Sequence, residues 1–373
     1  MRIALLTYST RPRGGVVHTL ALAEALVARG ADVDVWTLGR GGDTTFFRPV
    51  APGVGVHAVP FEADDDESVG DRIVRSIAVL RQAFEPHRDR YDVVHAQDCI
   101  SANAALPCVR TVHHLDHFTT PQLAACHERA VVEPTALVCV SASVAAEITG
   151  RWGRVPTVIA NGVDAPRFAA AADDVAGRRA WRDRLGRYVL ALGGIEPRKG
   201  SIDLLEALAV LRSSRPDLAG VRLVIGGGET LFDYRDYRAA FEARARELGL
   251  DPFVVGVLTE EELPTLVAEA SVLAMVSTKE GFGLAAMEAL AAGVPVVARE
   301  LPVLREVLGD AVEYAVTPAG IAGALGTLLD RPGDPAAGRA LAATYTWDRA
   351  AASHLELYRR LVAESTPVER PRP

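Results

Sequence analysis

Short apolar runs alternate with amphipathic helical stretches along almost the whole chain. Apolar runs of this length are typical of buried parallel strands, and the amphipathic stretches between them fit crossover helices. The pattern predicts strands in the first half near residues 2–7, 33–37, 91–95, 110–112, 136–140 and 156–160. It predicts strands in the second half near residues 188–192, 221–225, 253–255, 271–276, 295–298 and 312–316. We therefore expect an α/β fold with two Rossmann-like domains, each built on a doubly wound parallel sheet.

The alternation is interrupted between the two halves. Residues 169–174, four alanines and two aspartates, show no strand pattern and are interpreted as the connection between domains. This interpretation places an N-terminal domain over residues 1–170 and a C-terminal domain over residues 186–346. A helix is expected over residues 347–362, and the Pro-rich, charged tail over residues 363–373 is expected to be disordered.

Composition narrows the class of protein. The chain has 373 residues, 49% of them apolar, and a formal net charge of −8, which argues against a nucleic-acid partner. No apolar run reaches the length of a membrane span, and the N-terminus enters a strand without the pattern of a signal peptide. The four cysteines lack the spacing of a metal or redox motif. We therefore expect a cytoplasmic protein with reduced thiols.

One helical stretch raises the question of a membrane surface. Arg72, Arg75 and Arg81 alternate at helical spacing with apolar residues such as Ile73 and Phe84. A basic amphipathic helix can lie on a membrane, so the pattern gives weak support for membrane contact. The acidic run over residues 62–67 favours an ordinary surface helix instead.

The strongest chemical signal is a pair of carboxylates, Glu280 and Glu288, separated by seven residues. The strand predicted near residues 271–276 precedes Glu280, and a helix that ends at Gly293 contains Glu288. Glu280 therefore lies at the edge of the sheet where ligands bind in open α/β folds. Gly281 and Gly283 allow a ligand to approach the backbone, and the helix N-terminus behind them favours an anion.

A second strand-to-helix turn carries two adjacent cations. The strand near residues 188–192 leads into a loop that contains Gly194, Arg198 and Lys199, and a helix begins near Ser201. Arginine supplies a bidentate fork and lysine a point charge, and both suit a diphosphate. A solvated basic turn is the alternative interpretation.

The first strand-to-helix turn contains Arg11, Arg13, Gly14 and Gly15. It does not match the G-x-G-x-x-G fingerprint, which weakens the case for a dinucleotide site. The two arginines could bind an anionic acceptor, although exposed arginines are more often only solvated.

Polar residues also follow two further strands of the first half. His113, His114, Asp116 and His117 suggest a metal site, but no second ligand group stands at zinc-like spacing, so we expect no metal. Gln97 and Asp98 end another strand at the same sheet edge and are acceptor-side candidates. His95, just before them, fits a structural role at least as well.

The segment from Lys279 to Glu288 resembles the Glu-x7-Glu motif of the retaining glycosyltransferases of family 4, and the match through residues 281–284 and 288–291 is close. Lys199 matches the lysine with which the family holds a nucleoside diphosphate. The family's preceding arginine is replaced by Gly194, and the loop resembles a Glu-Pro-Arg-Lys variant in which Arg198 substitutes for it. His113 matches the family histidine that contacts the donor sugar. The resemblance extends over almost the whole chain.

The resemblance implies the GT-B fold, in which two Rossmann-like domains face each other across a cleft and the last helix returns to the N-terminal domain. It implies sugar transfer from a nucleoside-diphosphate sugar to a hydroxyl acceptor, with retention of configuration and without a metal or other cofactor. Glu280, His113, Lys199 and Arg198 are the implied catalytic residues. The implied donor-binding residues are Gly14, Gly15, Gly194, Gly228, Gly256, Leu258, Gly281, Phe282, Gly283, Leu284 and Glu288. The acceptor candidates are Gln97, Asp98, Arg11 and Arg13.

Two alternative functions stay open at this point. A nucleotide-sugar 2-epimerase of GT-B fold would convert the donor into a new isomer without any acceptor. A non-catalytic sugar-nucleotide-binding protein would bind the donor without turnover. The base, the sugar, the acceptor and the oligomeric state are not readable from the sequence.

Overall fold

The computed structural model describes residues 1–62, 67–115, 120–227 and 234–365. The chain forms two compact units. Unit 1 contains residues 1–162 and the chain from Trp347 onward, and unit 2 contains Val163–Thr346.

Unit 1 is built on a parallel sheet whose seven described strands are arranged in the order β3-β2-β1-β4-β5-β6-β7. The strands are β1 (Arg2–Leu6), β2 (Asp32–Arg40), β3 (Val54–Phe61), β4 (Val93–Ala96), β5 (Val109–Val112), β6 (Ala136–Cys139) and β7 (Thr157–Val158). The helices of this unit are α1 (Gly14–Ala28), α2 (Val69–Phe84), α3 (Cys99–Ala105), α4 (Pro121–Val132), α5 (Ala142–Trp152) and α15 (Trp347–Ser365). The strand order reverses between β1 and β4, which creates a crevice at their carboxyl ends.

Unit 2 repeats this architecture with six described strands in the order β10-β9-β8-β11-β12-β13, all parallel. The strands are β8 (Tyr188–Leu192), β9 (Arg222–Gly226), β10 (Phe253–Gly256), β11 (Val272–Met275), β12 (Val296–Arg299) and β13 (Glu313–Ala315). The helices are α6 (Ala165–Asp173), α7 (Val175–Leu185), α8 (Ser201–Ser214), α9 (Arg235–Glu247), α10 (Glu262–Glu269), α11 (Leu284–Ala292), α12 (Pro302–Leu308), α13 (Pro318–Asp330) and α14 (Ala336–Thr344). Here the order reverses between β8 and β11.

Helices pack against each sheet. In unit 1, Leu5 of β1 packs in one cluster with Leu20 of α1 and Tyr358 of α15. In unit 2, Leu204 of α8 and Leu325 of α13 pack against the sheet. The predicted α/β class with two Rossmann-like parallel sheets is therefore confirmed.

Strand β3 was absent from the sequence prediction. It lies at the edge of the sheet, and all of its residues except Phe61 are exposed or half-buried. It also contains Gly55 and Pro60, residue types that are rare in central strands. An edge strand with one solvated face lacks the continuous apolar run by which its neighbours were found.

The expected boundary between the domains is wrong in its position. Residues 169–174, interpreted as the connection, belong to α6 and to the residue that caps it, and α6 lies in unit 2. Phe168 and Ala171 are buried, and α6 packs on α10 and α11. The four alanines are strong helix formers rather than a linker. Unit 1 therefore ends at Gly162, and unit 2 includes the residues 163–185 that were left out of the C-terminal domain.

The chain returns to unit 1 at Trp347, directly beside the residue where it leaves. A Cβ added to Gly162 would lie 2.3 Å from the backbone nitrogen of Trp347, so glycine is required for this approach. Helix α15 begins at Trp347 as predicted and packs on α1. Helix α15 extends to Ser365, so the expectation of disorder is wrong for residues 363–365. The rest of the expected tail, residues 366–373, lies outside the described residues.

The amphipathic face of α2 is used inside unit 1. Ile73, Leu80 and Phe84 are at most 2% exposed, and the last two pack with Trp36 and other sheet residues. Within the described part of the chain, no helix is long and apolar enough to cross a membrane.

Candidate active site

Two loops follow β8 and β11, the neighbouring strands at which the order of the unit 2 sheet reverses. The first loop runs from Gly193 through a single turn of 3-10 helix, Pro197–Lys199, to Gly200. Gly200 has φ +65°, and an added Cβ would lie 2.4 Å from the carbonyl oxygen of Val276. Only glycine fits both the left-handed backbone and this close approach.

The second loop, residues 276–283, is bound to the first through the backbone. The N–H of Thr278 donates to the carbonyl of Arg198 at 2.8 Å. The loop ends at Gly283, which has φ +95° and precedes the first residue of α11. A Cβ there would lie 3.0 Å from Leu304, so backbone conformation and packing both account for this glycine.

Glu280 joins the cations of the first loop to the second. Its Oε1 accepts from Lys199 Nζ at 2.6 Å, from Ser277 Oγ at 2.9 Å and from Arg198 Nη1 at 3.4 Å. Arg198 Nη2 also donates to Glu196 Oε1 at 2.9 Å. The side chain of Glu280 is only 11% exposed. The structure therefore brings the predicted residues Arg198, Lys199 and Glu280 into direct contact.

The ionisation of Glu280 follows from these partners. Burial alone raises the pKa of this carboxyl, but the charges of Lys199 and Arg198 and the hydrogen bonds from Lys199 and Ser277 outweigh it and hold the pKa at about 2. Glu280 is therefore a carboxylate at any physiological pH. All three hydrogen bonds fall on Oε1, which leaves Oε2 available to a hydroxyl group of a ligand.

The surroundings suit an anion. The lining of a pocket at this edge includes Lys199, Ser201 and Ser277, together with apolar residues of β8 and β11. Helix α8 begins there, and its N-cap, Gly200, supplies no side chain; the hydroxyl of Tyr237 accepts from the N–H of Ile202 at 3.4 Å. The N-terminus of a helix attracts phosphate oxygens, which would compete there with this hydroxyl group. Arg198 and Lys199 are already paired with Glu196 and Glu280, so a diphosphate would have to take over part of this pairing.

Glu288 lies in a different environment. It is half-buried on α11, and the charged groups that act on it are Asp164 and Arg167, near the start of α6. Burial raises the pKa of this carboxyl to about 7, against the opposing effect of Arg167 and with a further increase from Asp164. Within the described residues, it makes no hydrogen bond to Lys199, Arg198 or Glu280.

The other donor-side candidates of unit 2 are distributed around this edge. Gly281 and Phe282 are buried, and the Phe282 ring meets Tyr345 edge-on with centroids 5.2 Å apart. Gly256 has φ +87°, and its carbonyl accepts from Gly227 N–H at 3.0 Å. Leu258, after it, and Leu284, the first residue of α11, are half-buried. Gly228 lies outside the described residues.

In unit 1, His113 follows β5 and packs against the start of α1. Its ring centroid is 4.7 Å from that of His18, and a Cβ added to Gly15 would lie 3.7 Å from its Cδ2. Its Nε2 is buried without a hydrogen-bond partner. Burial, with smaller contributions from His114, Arg110 and His354, lowers the pKa of His113 to about 3, so the imidazole is neutral.

Sequence reasoning missed the residues that surround His113. His18 Nδ1 is 2.9 Å from Asn161 Oδ1, and the His18 ring meets Trp347 at 5.2 Å. These three residues come from α1, from the end of unit 1 and from α15. No local sequence signal connects them, because only the fold brings them together.

The remaining unit 1 candidates differ in their surroundings. Gln97 is 1% exposed, and neither of its amide atoms has a partner in the described chain. Asp98 caps α3 by accepting from Ser101 N–H at 2.8 Å, while its Oδ2 is buried and unpaired there. Arg13 donates to Tyr8 Oη at 3.1 Å, and Arg11 is exposed, 3.9 Å from Asp43. Gly14, the first residue of α1, has open space at its Cβ position.

His95 is structural, as the sequence allowed. Its Nδ1 is 2.6 Å from the hydroxyl of Tyr358 and its Nε2 is 2.8 Å from the hydroxyl of Thr111. In the part of the chain that the structure describes, no three histidine, cysteine or acidic side chains group as metal ligands. Asp116 and His117, part of the suspected cluster, lie outside that part.

Comparison with known proteins assigns both units. Residues 182–332 match the model of glycosyl transferases group 1, and residues 12–167 match that of glycosyltransferase family 4. The chain is 31% identical to a D-inositol 3-phosphate glycosyltransferase of Streptomyces scabiei, with 96% of this chain and 90% of that protein covered. It is 29% identical to a glycogen synthase of Mycobacterium tuberculosis, with 96% and 94% covered.

Solved structures show the same fold. HepE from Anabaena, in complex with UDP and glucose, matches with a TM-score of 0.73 and 21% identity over 95% of this chain and 99% of that chain. Sucrose-phosphate synthase from Thermosynechococcus elongatus matches with a TM-score of 0.76 and 20% identity over 98% and 100%. The fold is GT-B, the protein is an enzyme of the transferase type, and the chain belongs to the group 1 (family 4) glycosyltransferases.

Proposed function

We propose that this glycosyltransferase moves a sugar from a nucleoside-diphosphate sugar to a hydroxyl acceptor, with retention at the anomeric carbon and without a bound metal. The observation that carries the proposal is the contact of Lys199 with Glu280 beside the N-terminus of α8. A group that binds phosphate and a group that binds sugar hydroxyls meet there, as the reacting end of a nucleotide sugar requires.

Lys199 and Arg198 have the role of holding the diphosphate as it leaves. When the glycosidic bond to the donor breaks, negative charge accumulates on the departing diphosphate. Fixed cations and helix N–H groups stabilise that charge without having to reorganise. The ion pairs with Glu280 and Glu196 keep both cations in place before the donor binds.

Glu280 and Glu288 have separate roles in this proposal. Glu280 binds hydroxyl groups of the donor sugar through Oε2, and Glu288 binds the ribose. These two binding roles leave neither carboxylate as the nucleophile or the general acid of a glycosidase pair. Proton transfer from the acceptor is assigned to the leaving phosphate, and His113, neutral at physiological pH, is assigned to orient the sugar.

Metal independence has its support in the charges of unit 2. Arg198, Lys199 and the N-termini of α8 and α11 supply positive potential at the edge where the diphosphate would lie. These groups offer the stabilisation that a divalent ion would otherwise provide.

A donor panel tests the proposed function. Because HepE binds UDP and UDP-glucose, UDP-sugars come first, followed by GDP- and ADP-sugars, each with polyol, sugar and sugar-phosphate acceptors and excess chelator. We expect mass spectrometry to show a glycosylated acceptor, and NMR to show retained anomeric configuration. A new donor isomer without acceptor would indicate an epimerase, and binding without turnover a non-catalytic protein. Loss of activity in chelator, restored by one divalent ion, would contradict metal independence.

Replacement of the sugar-binding carboxylate is expected to slow transfer. Glu280→Gln should lower kcat/KM by about 30- to 1,000-fold, since a charge-assisted hydrogen bond aimed at the transition state contributes about 2–4 kcal/mol. Steady-state kinetics with the identified donor measure the effect, and thermal melts check the fold. Glu313→Gln, an exposed glutamate on β13, is the control and should retain wild-type rates. A wild-type rate for Glu280→Gln would exclude the assigned role.

Removal of the lysine should separate phosphate binding from base binding. Lys199→Ala is expected to lower the affinity for the nucleoside diphosphate and for the intact donor by about tenfold or more, because a charged hydrogen bond is lost. The affinity for the nucleoside should change little. Calorimetry with the three ligands measures this. Lys279→Ala removes the same charge from the adjacent loop and should have a much smaller effect. Equal losses for all three ligands would place Lys199 away from the phosphates.

Arg198 has its own test in the same assay. If Arg198 replaces the arginine that is absent at Gly194, Arg198→Ala should lower the affinity for the diphosphate and for the donor, as Lys199→Ala is expected to do. An unaffected Arg198 variant would assign that role to another cation.

The raised pKa of Glu288 predicts a pH-dependent stability. The pKa of Glu288 is about 7 in the folded protein and near 4.5 in the unfolded chain. The wild-type protein should therefore lose stability as the pH rises from about 5 through 7, because the buried carboxyl must then ionise. Glu288→Gln removes this cost. We compare the free energy of unfolding of Glu288→Gln with that of the wild type at two pH values. The difference, variant minus wild type, should be about 2–3 kcal/mol larger at pH 8.5 than at pH 4.5. Denaturant unfolding at both pH values measures it, and a pH-independent difference would refute the predicted shift.

A further inference from the structure

Three arginines gather at the carboxyl edge of the unit 1 sheet; one of them, Arg13, is an acceptor candidate from the sequence, and the other two have no role assigned so far. Arg13 precedes α1, Arg40 is the last residue of β2, and Arg72 lies in the first turns of α2. We refer to these three residues as the arginine cluster. Because all strands of this sheet are parallel, the loops that carry these residues meet at one edge, next to the crevice between β1 and β4.

Tyr8, the second residue after β1, holds the centre of the cluster. Arg13 Nη1 donates to its hydroxyl at 3.1 Å, and Arg40 Cζ lies 5.8 Å from its ring centroid. Arg40 Cζ is also 5.3 Å from the ring of Phe61. The aromatic rings fix the arginine side chains in place without neutralising their charge.

The charges of the cluster are poorly balanced. Burial and, after it, the repulsion of Arg13 and Arg72 contribute to a pKa of Arg40 near 10, below the usual value, against the opposing effects of Tyr8 and Asp98. Within residues 1–62, 67–115, 120–227 and 234–365, none of the three arginines forms a salt bridge with a carboxylate. The Nε atoms of Arg13 and Arg40 are buried there without a hydrogen-bond partner.

The neighbouring Arg75 shows what a structural arginine looks like at this edge. It forms a bidentate pair with Glu67, with distances of 2.9 and 2.7 Å, and stacks on Phe61. Arg72, one turn earlier, has no such pair in the described chain and stands close to the helix N-terminus, where a cation is unfavourable. Glu67 and Asp98 act on the cluster electrostatically, but neither forms a salt bridge with its three arginines among the described residues. Like charges that are grouped without a directly paired carboxylate cost folding stability, and function is one reason for a protein to retain them.

We propose that the arginine cluster binds the anionic group of the acceptor, a phosphate monoester or carboxylate on a small polyhydroxy compound. This inference rests on the proposed function, in which unit 1 is the acceptor side. Arginine forks match the oxygen geometry of phosphate and carboxylate, and a bound anion would relieve the repulsion within the cluster. Gln97, with a buried and unpaired amide in the adjacent crevice, is placed to contact the same compound.

Calorimetry with inorganic phosphate tests the site directly. Since phosphate could also bind near Lys199, the titration is made on the wild type, on Lys199→Ala and on the double variant Arg40→Gln/Arg72→Gln. We expect the double variant to weaken phosphate binding about tenfold or more and Lys199→Ala to retain it. Arg90→Gln, at an exposed arginine just before β4 at the opposite edge, removes a positive charge away from the cluster; this control should bind phosphate like the wild type.

Three results would overturn the inference: no phosphate binding by the wild type, loss of binding only in Lys199→Ala, or an equal loss in Arg90→Gln. UDP binding, measured on the same samples, separates this outcome from failure of the proposed function. If UDP binds and phosphate does not respond to the cluster, only the acceptor assignment fails.

Turnover distinguishes the two anion classes. Glucose 6-phosphate, glucuronate and glucose are compared as acceptors of the wild type and the double variant, or as inhibitors of the acceptor found in the donor panel. If the acceptor carries a phosphate, the wild type should prefer glucose 6-phosphate and the double variant should lose this preference. If the acceptor carries a carboxylate, the wild type should prefer glucuronate and the double variant should lose that preference. Equal use of all three by both proteins would contradict an anionic acceptor.

Discussion

The contact between Lys199 and Glu280 is the interaction on which the geometry of the unit 2 edge depends. Glu280 belongs to the loop after β11 and Lys199 to the loop after β8, so their 2.6 Å contact fixes two otherwise independent turns. The backbone supports it, since Thr278 N–H donates to Arg198 and Gly200 lies against Val276. Arg299 adds a further link by donating to the carbonyl of Val276 and pairing with Asp203 on α8. A largely buried ion pair contributes little net stability but is costly to break, which suits a group kept for position.

The two carboxylates of the motif show how surroundings decide protonation. The pKa of Glu280 is held near 2 by two cations, while the pKa of Glu288, about one helical turn into α11, is raised to about 7 by burial. Their sequence separation is the same in any chain that carries the motif. Their chemistry is set by the loop after β8 for one and by α6 for the other, neither of which is adjacent in sequence. The sequence motif therefore identifies the two glutamates, and the folded structure determines whether each is ionised.

The features that could be predicted from the sequence are those that a local residue pattern determines. The central strands and the turns after β8 and β11 were found because buried runs and glycine-rich turns are local signals. Edge strand β3 was missed because its solvated residues lack that signal, and α6 was mistaken for a linker because alanine repeats carry no periodicity. The contact of Lys199 with Glu280 was not derivable, since eighty-one positions separate the two residues. The same holds for His18 and Asn161 and for the three arginines, which come from three different elements.

The charged groups are arranged differently at the two sheet edges where the strand order reverses. In unit 2, Arg198 and Lys199 already have carboxylate partners, so in the proposed function a diphosphate would displace or share those partners. The N-terminus of α8 would add attraction, in competition with the Tyr237 hydroxyl that accepts from Ile202 N–H. In unit 1, Arg13, Arg40 and Arg72 carry like charges whose desolvation the fold has already incurred, so the anion that we propose to bind there would lower their repulsion. A diphosphate in unit 2 would instead rearrange existing ion pairs, which would favour a group that reaches both cations and the N-terminus of α8. In unit 1 any compact anion would be favoured, and selectivity would depend on the hydroxyl groups that Gln97 can contact.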